Sequence, residues 1–234
     1  MTDWKHTLGF IVPSWNRGME YECWRMAPPG TSIHISRIPH TDDSEETLLH
    51  MLDKAPGVAE LLAHAKVDAI CFGCTGGSFV KKGFDQELVD AILEKTNTQT
   101  TTTSSAINDA LKYLKIKNVA VSSPYPDWLN DRLAEFLEYS GFKVVAKRGL
   151  NKEWPILLGP ENAYNVASDA NCDEADGILI SCTNFRSLEV IDRLEQDLGK
   201  PVISSNTASM WKMLQMVGSK DKVKGAGMLL SGSV

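Results

Sequence analysis

No apolar run in this 234-residue chain approaches the ~18 residues that a membrane-spanning helix needs. The opening stretch, MTDWKHTLGFIVPSWN, has too short an apolar segment for a secretion signal, and no small-residue cleavage site follows it. Positive charge is not in excess. The 24 Lys and Arg stand against 30 Asp and Glu, a net charge of −6, which argues against nucleic acid or an anionic membrane as partner. Cys71 and Cys74 form a CxxC, but neither a second such pair nor a histidine pair exists to complete a zinc site, so no metal is expected. The histidines His34, His40, His50 and His64 lack partners at metal spacing and are read as surface or satisfied core residues. The cysteines number 5, an odd count, and no targeting segment precedes them. A disulfide framework is therefore not expected, and the cytoplasm is the expected compartment.

What is present is a core and a rhythm. Hydrophobic residues make up 43%, enough to bury a core and to argue against disorder. Short apolar runs alternate with helical patterns along the chain. TLGFIVPS, TSIHISRIP, VDAICFGC and TQTTTTS read as strands, and so do NVAVSSP, KVVAKRG, GILISC and PVISS. One helix is expected from Asp43 or Ser44 to Ala65, and others near 85–95, 104–116, 127–139, 160–170, 186–198 and 207–217. Strands spaced by helices imply βαβ units and parallel sheets.

The second half repeats the first. FIVPSWN matches VAVSSPY, AICFGCTGG matches ILISCTNF, and TTTTSSAINDALKYL matches PVISSNTASMWKML. The interval from Asn16 to Cys74 is 58 residues, and that from Tyr125 to Cys182 is 57. The fold expectation is α/β, with two similar Rossmann-like units of parallel sheet related by a pseudo-twofold axis. Residues 1–102 would form the first unit, completed by a C-terminal helix at 207–234, and residues 103–206 the second. Ligands of parallel sheets bind beyond the carboxyl ends of strands, where both cysteine motifs fall. Cys74 and Cys182 should then meet across one small anionic ligand.

The residues around them suit that task. A thiolate is the reactive form of cysteine, and backbone N–H groups at a helix start favour negative charge. Thr75 and Thr183 carry hydroxyl donors, Gly76 and Gly77 permit close backbone approach, and Asn184 follows Thr183. Two thiols can take a proton on one face of a carbon and return it on another. Cys71 reads as core, and Cys23 and Cys172 as structural. Thr102, Thr103, Ser104, Ser122, Ser123, Ser204, Ser205 and Asn206 are either helix caps or site lining.

The paired CT motifs, with VPSWNRGMEYE and SSPYPDW, resemble the aspartate/glutamate racemase superfamily, in particular its maleate cis-trans isomerase and arylmalonate decarboxylase branch. The resemblance runs from about Gly9 to Val217. It implies an isomerase of a small carboxylate that needs no cofactor. By the resemblance, Cys74 is the nucleophile and Cys182 the acid/base. Asn16 and Tyr125 would bind substrate carboxylates, with Thr75, Gly76, Thr183 and Asn184 beside them. It also implies a homo-oligomer, a dimer or tetramer.

Two departures stand out. The isomerases carry a further asparagine where this chain reads GLNKEWPILLGPEN, which offers Asn151 and an anionic Glu153. Arg17 follows Asn16 where the isomerases have a small hydroxyl residue, and would either add charge or face solvent. Decarboxylases of the branch have glycine at the first cysteine position, so Cys74 argues against decarboxylation. The alternatives are an amino-acid or hydantoin-type racemase, an arylmalonate-type decarboxylase, and a carboxylate-binding or redox-sensing protein without catalysis.

Overall fold

The protein is described by a computed structural model that covers residues 4–152 and 158–232. Glu153, singled out above, lies outside the described residues.

Among the described residues eight strands form two four-stranded sheets, parallel throughout. The first holds β1 (His6–Pro13), β2 (Thr31–Ile38), β3 (Ala69–Phe72) and β4 (Thr100–Thr102), in the order β2-β1-β3-β4. The second holds β5 (Asn118–Ser123), β6 (Lys143–Gly149), β7 (Gly177–Ile180) and β8 (Val202–Ser204), in the order β6-β5-β7-β8. The two orders are the same, as the duplicated sequence requires. The inner strands β3, AICF, and β7, GILI, are buried at every position, because helices cover both faces.

The helices are α1 (Gly18–Met26), α2 (Glu45–Leu49), α3 (Met51–His64), α4 (Thr75–Phe79), α5 (Phe84–Thr96) and α6 (Thr103–Tyr113). They continue with α7 (Asp127–Tyr139), α8 (Pro160–Ala170), α9 (Leu188–Leu198), α10 (Ser205–Met216) and α11 (Gly227–Ser231). Among the described residues no helix is long and apolar enough to cross a membrane.

Three local details differ from the sequence expectation. The helix expected from 43 to 65 is two helices broken at His50. Pro56 is not at the break: it lies inside α3, where it leaves the Leu52 carbonyl without its helical donor while the helix continues to His64. Helix α1 lies inside the VPSWNRGMEYE motif, where no helix was anticipated. Its buried Met19, Cys23 and Met26 recur at helical spacing. The segment expected as one helix from 207 onward ends at Met216, and α11 follows separately.

The halves join through α6 and α10, the helices that follow each fourth strand. Small hydroxyl residues let them approach closely. Ser209 Oγ donates to Thr103 Oγ1 at 3.1 Å, and Lys212 pairs with Asp109 at the helix flank. The loops after β1, β2, β3, β5 and β7 meet at the seam between the two units.

Candidate active site

Both CT motifs close on that seam. Cys74 follows β3 and caps α4, its Sγ accepting from the Gly77 N–H at 3.4 Å. A Cβ on Gly77 would lie 2.7 Å from Met51 Sδ and 3.1 Å from the Cys74 sulfur, so the missing side chain makes room for the thiol. A Cβ on Gly76 would make only ordinary contacts, at 3.6 Å to Leu129 and 3.9 Å to Leu48. Cys182 follows β7 and adopts φ +108, a strained value for a residue with a Cβ. Its N–H donates to Ser205 Oγ at 3.0 Å. The same Ser205 oxygen accepts from Thr75 Oγ1 at 3.0 Å, so one hydroxyl ties the two motifs together.

The predicted site residues converge. Cys74, Cys182, Asn16, Thr75, Gly76, Tyr125, Thr183 and Asn184 all line one pocket of about 20 Å³, which has room for roughly one water. Beyond it opens a vestibule of about 1000 Å³, and Trp15 and Asp43 border both spaces.

The hydrogen bonds refine the expected roles. Thr75 is committed to Ser205, and Thr183 donates to the Gly73 carbonyl at 3.1 Å. Neither hydroxyl points its proton at the pocket. Asn16 Nδ2 donates to Thr183 Oγ1 at 2.9 Å, while its Oδ1 takes the Met19 N–H and caps α1. Asn184 Oδ1 takes the N–H groups of Arg17 and Gly18 at 2.9 and 3.2 Å, and its Nδ2 is buried without a partner among the described residues. Gly18 permits this approach, since a Cβ there would lie 2.9 Å from the Thr183 carbonyl oxygen. Tyr125 is held by its own loop. Ser123 Oγ accepts its N–H at 3.0 Å, and Asn130 Nδ2 donates to its carbonyl at 3.1 Å.

Several open choices from the sequence resolve toward scaffolding. Thr102 and Ser204 are N-caps of α6 and α10. Ser104 pairs with Ser78, and Ser122 donates to the Leu179 carbonyl. Arg17 is exposed and outside the pocket. Asn151 lines the vestibule instead. Cys23 and Cys71 are buried core residues, and all 5 cysteines are free.

Three contributors were not visible in the sequence. Glu22, wholly buried, accepts the N–H groups of Ser187 and Leu188 at 2.6 and 2.9 Å, and Asn206 Nδ2 at 2.7 Å. Asn206 Nδ2 also donates to the Thr183 carbonyl at 3.1 Å. The first half thus grips the loop that carries Cys182. The other two are His40 and Asp43, on the loop after β2. His40 Nε2 lies 2.9 Å from Asp43 Oδ1, its ring stacks on Trp15, and its buried Nδ1 has no partner among the described residues. His40 is therefore a pocket residue rather than a satisfied core residue. The usable signal was position: this loop, too, leaves the carboxyl end of a strand.

The thiols differ from expectation in one respect. Helix starts and N–H groups suggested lowered pKa values, but burial outweighs them. Desolvation, then the nearby Asp43 charge, pushes Cys182 up to about 12, against the Asn184 and Phe185 N–H groups and the Tyr125 hydroxyl. Cys182 keeps a partly exposed face, while Cys74 is buried and desolvation pushes it higher still. Both are thiols at neutral pH in the closed pocket. Alkylation of resting enzyme by iodoacetamide is expected to be slow at pH 7. Its rate should climb about tenfold per pH unit through pH 9, because only the thiolate reacts. A rate plateau below pH 9 would contradict the burial effect.

The arylmalonate decarboxylase family model matches residues 8–230. A maleate isomerase of Geobacillus stearothermophilus is 27% identical over 243 residues, covering 96% of this chain and 97% of the relative. An arylmalonate decarboxylase of Bordetella bronchiseptica is 31% identical over 161 residues, covering 64% of this chain and 65% of the relative. A crystal structure of a maleate isomerase from Pseudomonas putida S16 with maleate superposes at a TM-score of 0.93, with 27% identity, covering 97% of this chain and 98% of the other.

Proposed function

The chain belongs to the arylmalonate decarboxylase family, and we propose that it is a cofactor-independent isomerase that interconverts the cis and trans forms of a small unsaturated carboxylate of the maleate type. The observation that carries this reading is the meeting of two free cysteines, Cys74 and Cys182, in one pocket between the two sheets. Full-length similarity to maleate isomerases supports it.

The reaction needs both sulfurs. Cys74 adds as thiolate to one alkene carbon, forming a C–S bond. The alkene electron pair moves to the adjacent carbon, and its carboxylate shares the charge as an enediolate. Cys182 gives its proton to that carbon. The former double bond is now single and rotates. The Cys182 thiolate takes a proton back, the C–S bond breaks, and the trans acid leaves. Asn16, Tyr125 and the Asn184 amide supply hydrogen-bond donors, with Thr75, Gly76 and Thr183 shaping the wall. The desolvation that keeps both thiols protonated is greatest while the pocket encloses about 20 Å³. Opening its wall to admit a four-carbon acid readmits water and lowers the cost of the thiolate.

The same reading includes a homo-oligomer in the cytoplasm, and the exposed Trp24 and Leu61 offer apolar surface for self-association.

Purified protein incubated with maleate, without added cofactor, is expected to produce fumarate and no carbon dioxide. Carbon dioxide from an arylmalonate, with maleate inert, would replace isomerisation by decarboxylation. Deuterium gain at the α-carbon of an amino or hydantoin acid, with maleate inert, would replace it by racemisation.

A further inference from the structure

The pocket lining is unusual in its charge. Among the described residues it contains one carboxylate, Asp43, and no lysine or arginine. Arg132 and Lys152 line the vestibule instead, and Arg132 is already shared between Glu45 and Glu135; Arg37 is spent on the Asn16 carbonyl and Glu20. A dicarboxylate would bring two negative charges to a space that already holds one. Amide donors at Asn16 and Asn184 suit one carboxylate. His40 and Asp43, in the same lining, offer acceptors.

The acceptors can be counted. As a carboxylate, Asp43 only accepts, so the His40 proton sits on Nε2 and points to Asp43 Oδ1. In the neutral tautomer His40 Nδ1 is then an acceptor, buried and without a partner among the described residues. Among the described residues nothing donates to Asp43 Oδ2, and the Asp43 side chain keeps 26% of its surface exposed, toward the pocket mouth. The Asp43 charge is felt by Cys74, Cys182 and Tyr125 alike, which places it close to the reacting centre.

From this wall we propose that Asp43, oriented by His40, is a specificity-determining residue, and that the preferred substrate is a cis-enedioic half-amide. Such a molecule carries a carboxylate at one end and an N–H-bearing carboxamide at the other. The carboxylate takes the amide donors of Asn16 and Asn184. The carboxamide N–H groups take Asp43 Oδ2 and His40 Nδ1. The inference rests on the isomerase reading above and names its substrate class. Discrimination is expected because a site built to accept hydrogen bonds from a substrate N–H leaves its acceptors unpaired, and here repelled, when the N–H is replaced by a carboxylate oxygen.

The test compares maleamate with maleate for wild type and Asp43→Asn, following fumaramate and fumarate by proton NMR at one pH and ionic strength. Wild type should favour maleamate in kcat/KM by about tenfold or more. Asp43→Asn keeps an oxygen for His40 but removes the charge and turns an acceptor into a donor. It should shift the preference toward maleate by about tenfold or more, chiefly through a lower KM for maleate. The wild-type ratio stands by itself if the variant fails to fold. A wild type that prefers maleate, or a variant with an unchanged ratio, overturns the specificity role and leaves the isomerase reading intact. A wild type that isomerises neither compound removes that reading, and this inference with it.

Discussion

Serine in place of either cysteine is expected to lower the formation of fumarate from maleate by roughly 10⁴-fold or more, because each sulfur performs a step that the other cannot. Cys74→Ser removes the nucleophile. A hydroxyl in a buried pocket beside the Asp43 carboxylate does not ionise near neutral pH, and nothing else beside the alkene carbon replaces it. The substitution should not unfold the chain, since serine caps α4 as well as cysteine does. Cys182→Ser leaves the nucleophile but takes away the proton donor and acceptor. Addition at Cys74 can then still occur slowly, with solvent protonating the neighbouring carbon, while removal of that proton fails. A succinyl-like adduct on Cys74, one maleic acid heavier by intact mass, should accumulate in Cys182→Ser and be absent in Cys74→Ser. An adduct on neither variant, with wild-type fumarate formation intact, would rule out covalent addition. Substantial turnover in Cys74→Ser would move the nucleophile elsewhere.

The repeat that suggested this chemistry was legible because it is local. Each CT motif sits directly after an apolar run, and the interval from the loop after the first strand of each half is nearly the same. Strand β6 and helix α7 fall at the boundaries their patterns implied, KVVAKRG and Asp127–Tyr139. What the sequence could not display is depth. The N–H groups around Cys74 and Cys182 were foreseeable from the strand-to-helix turn, and they do act in the expected direction. Burial of both sulfurs is a property of the closed pocket, and it decides the sign of the shift. Asp43 illustrates the same limit. In sequence it is an acid at a helix start, interchangeable with Ser44. In space Ser44 is the cap and Asp43 turns to the pocket. The Pro13–Glu22 motif was legible as a signature but not as a mechanism. Only the fold shows that it reaches across the seam, Asn16 to Thr183 and Glu22 to Ser187 and Leu188.

Glu22 is where the second large effect is expected. Glu22→Ala should destabilise the protein by about 3–5 kcal/mol, because it strands two N–H groups at the start of α9 and the Asn206 amide in a dry interior. Glu22→Gln is the informative variant. Its oxygen can still accept from Ser187 and Leu188, but its NH₂ faces the Asn206 NH₂. Rotating Asn206 would mend that clash and turn an oxygen toward the Thr183 carbonyl, which now accepts from Asn206. Either arrangement loses a hydrogen bond, costing about 1–3 kcal/mol. It also loosens the loop that holds Cys182 at φ +108, so kcat should fall more than KM rises. The pH dependence follows from desolvation, which raises the Glu22 carboxyl above its ordinary 4.5 despite its three donors. Between 4.5 and the raised value, the folded protein holds a proton that the unfolded chain has lost. Stability from this group is therefore full below 4.5 and declines as pH rises through the raised value. Glutamine does not titrate. The stability gap between wild type and Glu22→Gln, read from urea unfolding at a series of pH values, should narrow as pH rises and then level off. A gap that widens with pH would mean that the three donors hold the carboxylate more strongly than burial penalises it.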